Sequence, residues 1–153
     1  MRKSAPKDQT EASTKIKNME NTTNKSEKRK KIFYWIFTIW LALGMMSTGL
    51  VQLLKVKEEA ESMTHLGYPL YFLSIIGLWK ILGVIAVLIP GFSLLKEWAY
   101  AGFFFVASGA AFSHLAVTDP ASELFGPVLL IILTVLSWYL RPASRKLTPG
   151  LTA

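Results

Sequence analysis

The chain has no cysteine, which excludes disulfide exchange, thiolate nucleophiles, Cys-ligated iron–sulfur clusters and covalently attached haem. Histidine is nearly as scarce. His65 and His114 lack the local spacing of a motif such as H-E-x-x-H, so no metal site is expected. Large apolar side chains are almost missing from residues 1–31, which are mainly Lys, Arg, Ser, Thr, Asn, Glu and Gln. Such a segment buries too little surface to offset the entropy of ordering, and the expectation is a disordered, cytoplasmic basic tail.

What remains is strongly apolar. A hydrophobic fraction of 52% exceeds that of ordinary soluble domains and points to a membrane protein. The net charge of +7 does not argue for nucleic acid, because ten of the seventeen basic residues precede Ile32. The basicity belongs to the tail, whose expected neighbour is the lipid surface.

Four stretches are long and apolar enough to span a bilayer, whose hydrocarbon core of about 30 Å takes roughly 20 helical residues. They are residues 32–54, 70–89, 98–117 and 124–140. Lys28-Arg29-Lys30-Lys31 before the first resembles a signal-peptide flank, but the apolar run is too long and no A-x-A pattern follows. Residues 55–66 carry apolar positions at helical spacing and predict a short amphipathic interfacial segment. The short links make neighbouring spans antiparallel, so the fold class is all-α: an integral membrane, up-down-up-down four-helix bundle over 32–142, followed by a cytoplasmic tail, 143–153. Lys and Arg near the span ends number eleven on the N-terminal side of the membrane and two, Lys55 and Lys57, on the other, which predicts cytoplasmic termini.

Polar residues inside these spans are the candidate site. Lys80 lies near the middle of the second span, where a lysine costs roughly 2.5–3.5 kcal/mol to insert. Gly77 and Gly83, one turn to either side, mark its face as the one that packs against other helices. His114 shares a face of the third span with Ala107, Ala110 and Ala111, and so points inward too. Side chains lean toward the N-terminus of their own helix, so Lys80 and His114 lean toward each other, and Gln52 near the end of the first span leans the same way. These three, Lys80, His114 and Gln52, are expected to line a polar cavity in the outer half, with Glu58, Glu59 or Glu61 as counter-charge. A plainer account has Lys80 snorkelling and His114 bonding a backbone carbonyl. Lys96 and Glu97 read as interfacial anchors, and Asp119 before Pro120 as a turn residue.

The segments LGYPLYF, GLWKILGVIAVLIPG, LKEWAYAGFFF and GAAFSHL, in that order, resemble the DoxX-like family of small bacterial membrane proteins between Gly49 and Pro142. The resemblance implies a four-helix membrane fold and a bacterial inner-membrane location. The family takes its name from a subunit associated with quinol-oxidase and thiosulfate:quinone oxidoreductase complexes.

No catalytic constellation is self-contained in the chain: no nucleophile sits beside a base at a recognisable spacing. Three functions stay open. One is a quinone-linked redox accessory subunit, in which Lys80 and His114 hydrogen-bond a quinone carbonyl or relay a proton; this chain alone holds no common redox cofactor and would need a membrane redox partner subunit. The others are a small proton-coupled permease, working as a homo-oligomer, and a noncatalytic assembly or envelope-stress protein.

Overall fold

The computed structural model describes residues 7–147. The described residues form five helices, α1 Lys7–Leu53, α2 Lys57–His65, α3 Tyr71–Leu88, α4 Ser93–Ala116 and α5 Ala121–Tyr139, followed by a 3-10 turn, Ala143–Arg145. α1, α3, α4 and α5 are each long and apolar enough to cross a membrane. Each packs on two others, α1 on α3 and α5, and α4 on α3 and α5, so the four close into a ring. The core is Leu41, Met45, Val84, Val87, Tyr100, Phe103 and Leu133. Around it Trp40, Leu43, Trp79, Phe105, Phe112 and Phe125 face outward and exposed, an apolar belt that hydrocarbon covers and water would not. The protein is a multi-pass membrane helical bundle.

Chain direction gives the bundle two ends. The tail end holds the start of the apolar part of α1, the α3–α4 turn and residues 140–147; the other end holds α2 and the α4–α5 turn.

Several elements differ from the sequence reading. α1 does not begin near Ile32 but runs back to Lys7, through the segment read as a disordered tail. Composition reported the missing tertiary burial, since residues 15–33 are all exposed, and not the local helix, which Lys30–Glu27 pairing at 3.3 Å and a good supply of helix formers support. α4 starts at Ser93, before Trp98, because the turn needed after α3 is made within four residues: Gly91 and Phe92 adopt positive φ of 71° and 48°. α5 starts at Ala121, which places Pro127 inside the helix and not in its first turn. Pro127 therefore cannot donate to the carbonyl of Glu123.

Close backbone approach sets where Lys80 points. A β-carbon at Gly77 would collide with the Gly49 carbonyl oxygen at 2.6 Å, so α3 presses against α1 here. At Gly83 it would meet the Phe103 ring, also at 2.6 Å, so the next turn of the same face presses on α4. Lys80 lies between the two contacts and is buried, 7% exposed.

Candidate functional site

Lys80, His114 and Gln52 line one cavity of about 480 Å³ between the helices in the half of the bundle nearest α2. Glu59, Ser62 and Met63 of α2 close its end, and Met45, Phe72, Ile76 and Leu130 give it apolar walls. Its polar groups fall into three sets.

The first is the Lys80 ammonium. Its Nζ donates to Thr48 Oγ1 at 3.3 Å, and that hydroxyl itself donates to the Gly44 carbonyl at 2.9 Å. One neutral, long hydrogen bond is a small complement for a buried cation with three donors. Of the three glutamates expected as counter-charge, Glu59 is the one that lines the cavity with Lys80. Glu61 instead pairs with Lys57 at 3.8 Å.

The second is Gln52. Its Nε2 donates to Glu59 Oε2 at 3.1 Å, which fixes the orientation of the amide, and its Oε1 is left buried without a donor.

The third is a bridge at the rim. Asp119 Oδ2 lies 2.7 Å from His114 Nδ1, and Asp119 Oδ1 lies 2.7 Å from His65 Nε2. The hydrogen bonds from His114 and then His65 hold the Asp119 carboxyl below the usual carboxylate range. An ionised carboxylate only accepts, so His114 donates from Nδ1 and keeps Nε2 for another partner. His65 is largely exposed while His114 and Asp119 are largely enclosed, so the bridge leads from the cavity to the surface. Thr118, a β-branched residue at φ 61°, makes the turn that presents Asp119. Nearby, Ser113 Oγ donates to the Gly109 carbonyl at 2.8 Å, and the Tyr68 hydroxyl at 2.9 Å therefore donates to Ser113.

The sequence brings Lys80, His114 and Gln52 to one cavity but does not foretell this pairing. His114 bonds a side chain, not a backbone carbonyl, and Asp119 is more than a turn residue: it joins two histidines far apart in the chain. Lys80 and His114 are not hydrogen-bonded to each other; the cavity separates them.

A second polar layer, at the tail end, went unread. Lys96, expected as an interfacial anchor, is fully buried, with Nζ 2.5 Å from the carbonyls of Ile89 and Gly91. Arg145 donates to the carbonyls of Val87 at 2.9 Å and Leu88 at 3.2 Å. Together the two cations satisfy the carbonyls that α3 leaves open where Pro90 stops it. Glu97 accepts from Arg141 at 2.6 Å and from Trp138 at 2.8 Å. Tyr100, Ser137 and Thr38 form a directed chain. Thr38 donates to the Tyr34 carbonyl at 2.6 Å, so Ser137 donates to Thr38 and Tyr100 to Ser137, each at 2.7 Å. Tyr34 and Tyr100 are thus core residues, whereas Trp98, Trp138 and Tyr139 face outward. Apart from Arg141 Nη1, which is buried without a partner among the described residues, this layer is engaged with itself and reads as structural.

The sequence matches the DoxX-like family over residues 36–137, a span that begins earlier in α1 than Gly49 and includes every cavity residue named above. Neither a curated protein nor a solved structure matches the chain.

Proposed function

Because this chain belongs to the DoxX-like family, we propose that it is a quinone-linked accessory subunit of a bacterial inner-membrane redox assembly, with both termini cytoplasmic. The observation that carries this reading is the pairing of unmet needs in one cavity. Lys80 has donors to spare, and Gln52 Oε1 has no donor. A quinone offers carbonyl oxygens to the first, and its reduced form offers a hydroxyl to the second. Apolar walls from Phe72, Ile76 and Leu130 suit a ring, and His114 with Asp119 and His65 offers a proton route between ring and surface. When bound, the quinone would supply the electron-accepting chemistry; this chain would bind it, orient it and hold a proton at His114 Nε2. Electrons would come from a partner subunit, since the chain has no cysteine and no haem-ligand pair. The excess of Lys and Arg at the tail end supports the orientation.

The test is purification in mild detergent, followed by mass spectrometry of extracted lipids and co-purifying subunits. Quinone retained by the natural protein and lost from Lys80→Met supports the reading. A protein that carries neither quinone nor a redox subunit, with Lys80→Met gaining stability, overturns it in favour of a packing role for Lys80.

One observation favours a second reading, a small proton-coupled permease: the His114–Asp119–His65 bridge joins an enclosed cavity to an exposed histidine. Substrate uptake by proteoliposomes that follows an imposed pH gradient, and fails in Asp119→Asn, would select it.

A further inference from the structure

Beside the cavity lies a second hollow, which faces the bilayer. Between α3 and α4 runs a hollow of about 300 Å³ walled by Trp79, Leu82, Trp98, Gly102 and Phe103. Its outer lips, Trp79 and Trp98, are 66% and 68% exposed, so it faces the hydrocarbon that surrounds the bundle. Ile76, Lys80 and Val106 line both this hollow and the polar cavity. The two spaces therefore lie on either side of a shared wall that includes the Lys80 side chain.

We propose that the α3–α4 groove is the lateral entrance to the cavity, and that it holds the hydrocarbon tail of a lipid-soluble ligand whose uncharged acceptor head group reaches Lys80. The proposal rests on the reading above that the cavity binds a quinone, and adds where such a ligand enters and what part of it stays outside. The groove selects its occupant in three ways. Lys80 supplies its charge and its hydrogen-bond donors at one end, while the other walls named are aromatic or aliphatic, so a ligand filling both spaces has an acceptor head and an apolar tail. Lys80 is the tenth of the eighteen residues of α3, about 13 Å from either end at about 1.5 Å per residue, so a charged phospholipid head group would have to leave the interface to reach it. A neutral carbonyl head carries no such penalty. Finally, a β-carbon at Gly102 would meet nothing within 4 Å, so α4 is bare where the tail would lie.

That bareness provides the test. Gly102→Leu places a side chain in the groove from a position where a β-carbon meets no neighbour, and replaces a weak helix former with a strong one. Gly109 also has nothing within 4 Å of a built β-carbon but lines the polar cavity, so Gly109→Leu narrows the head-group space. The full chain in lipid nanodiscs is titrated with decylubiquinone and with the tailless dimethoxy-methylbenzoquinone, binding being read from quenching of tryptophan fluorescence. Thermal midpoints confirm that each variant is folded. Gly102→Leu is expected to weaken decylubiquinone by roughly tenfold or more, as lost tail contacts would. It should leave the tailless probe within about twofold, while Gly109→Leu weakens both. If Gly102→Leu affects neither probe, or both equally, the lateral entrance is overturned, and the quinone reading survives provided Gly109→Leu and Lys80→Met still weaken both. If neither probe binds the natural protein, the quinone reading fails and the entrance with it.

Discussion

Gly77 lies so close to Gly49 that a β-carbon built on it would sit 2.6 Å from the Gly49 carbonyl oxygen and 2.8 Å from the Leu53 nitrogen. Both obstacles are backbone, and no side chain can swing aside to make room. Gly77→Ala is therefore expected to push α1 from α3 at a cost of about 1–3 kcal/mol, the usual range for overpacking. It should also lengthen the Lys80–Thr48 contact, which spans the same two helices. Gly109→Ala, which meets open space, should be neutral or slightly stabilising. Thermal midpoints in detergent compare the two; equal midpoints would show that the crossing is not tight.

The same glycines explain what the sequence could reveal. Lys80 between Gly77 and Gly83 is a local pattern, and helical geometry converts it into a direction without knowledge of any partner. The four spans were legible for a similar reason, since a run of apolar residues needs only its own length to declare itself. Asp119 was not legible, because its role depends on His65 coming within 2.7 Å from another helix, and the Asp-Pro pair has a sufficient local explanation as a turn. Lys96 misled in the other direction. A lysine beside an apolar run ordinarily reaches for water, and only the stop imposed by Pro90 gives it carbonyls to cap inside the protein.

The Arg141–Glu97 pair should behave as a unit. The Arg141 side chain is 2% exposed and its guanidinium lies over the Tyr100 ring, so it is held among nonpolar groups with one carboxylate partner. Glu97→Gln alone leaves that cation uncompensated and is expected to cost about 3–5 kcal/mol. The double variant Glu97→Gln with Arg141→Met removes both charges and should recover most of the loss. A double variant as unstable as the sum of its singles would refute the coupling, as measured by a double-mutant cycle of unfolding in detergent.

Ser137 is the middle of the Tyr100–Ser137–Thr38 chain and cannot be removed without stranding a donor. In Ser137→Ala the Tyr100 hydroxyl loses its acceptor while remaining buried, at a cost of about 1–3 kcal/mol. Adding Tyr100→Phe removes the stranded hydroxyl and should restore part of that loss, even though it deletes a second polar group. Stability that falls further on the second substitution would mean the hydroxyl finds another acceptor once Ser137 is gone.

The Asp119 bridge predicts an acid limit for the end of the bundle that α2 closes. Its carboxyl titrates below the usual carboxylate value because His114 and His65 hydrogen-bond the ionised form. A group lowered in this way contributes stability that is fully present above its unfolded value, about 3.9, and is lost as pH falls through the lower folded value. Above that window the bridge ties α2, through His65, to the α4–α5 turn; below it the carboxyl is protonated and the tie loosens. Asp119→Asn has no such titration, so its thermal midpoint should start lower than that of the natural protein near neutrality and converge with it in acid. Glu59 and Glu123 also line the cavity, but they are present in both proteins and cancel in the comparison. Two midpoint-against-pH curves that run parallel through the acid range would mean that the bridge contributes nothing to holding α2 in place.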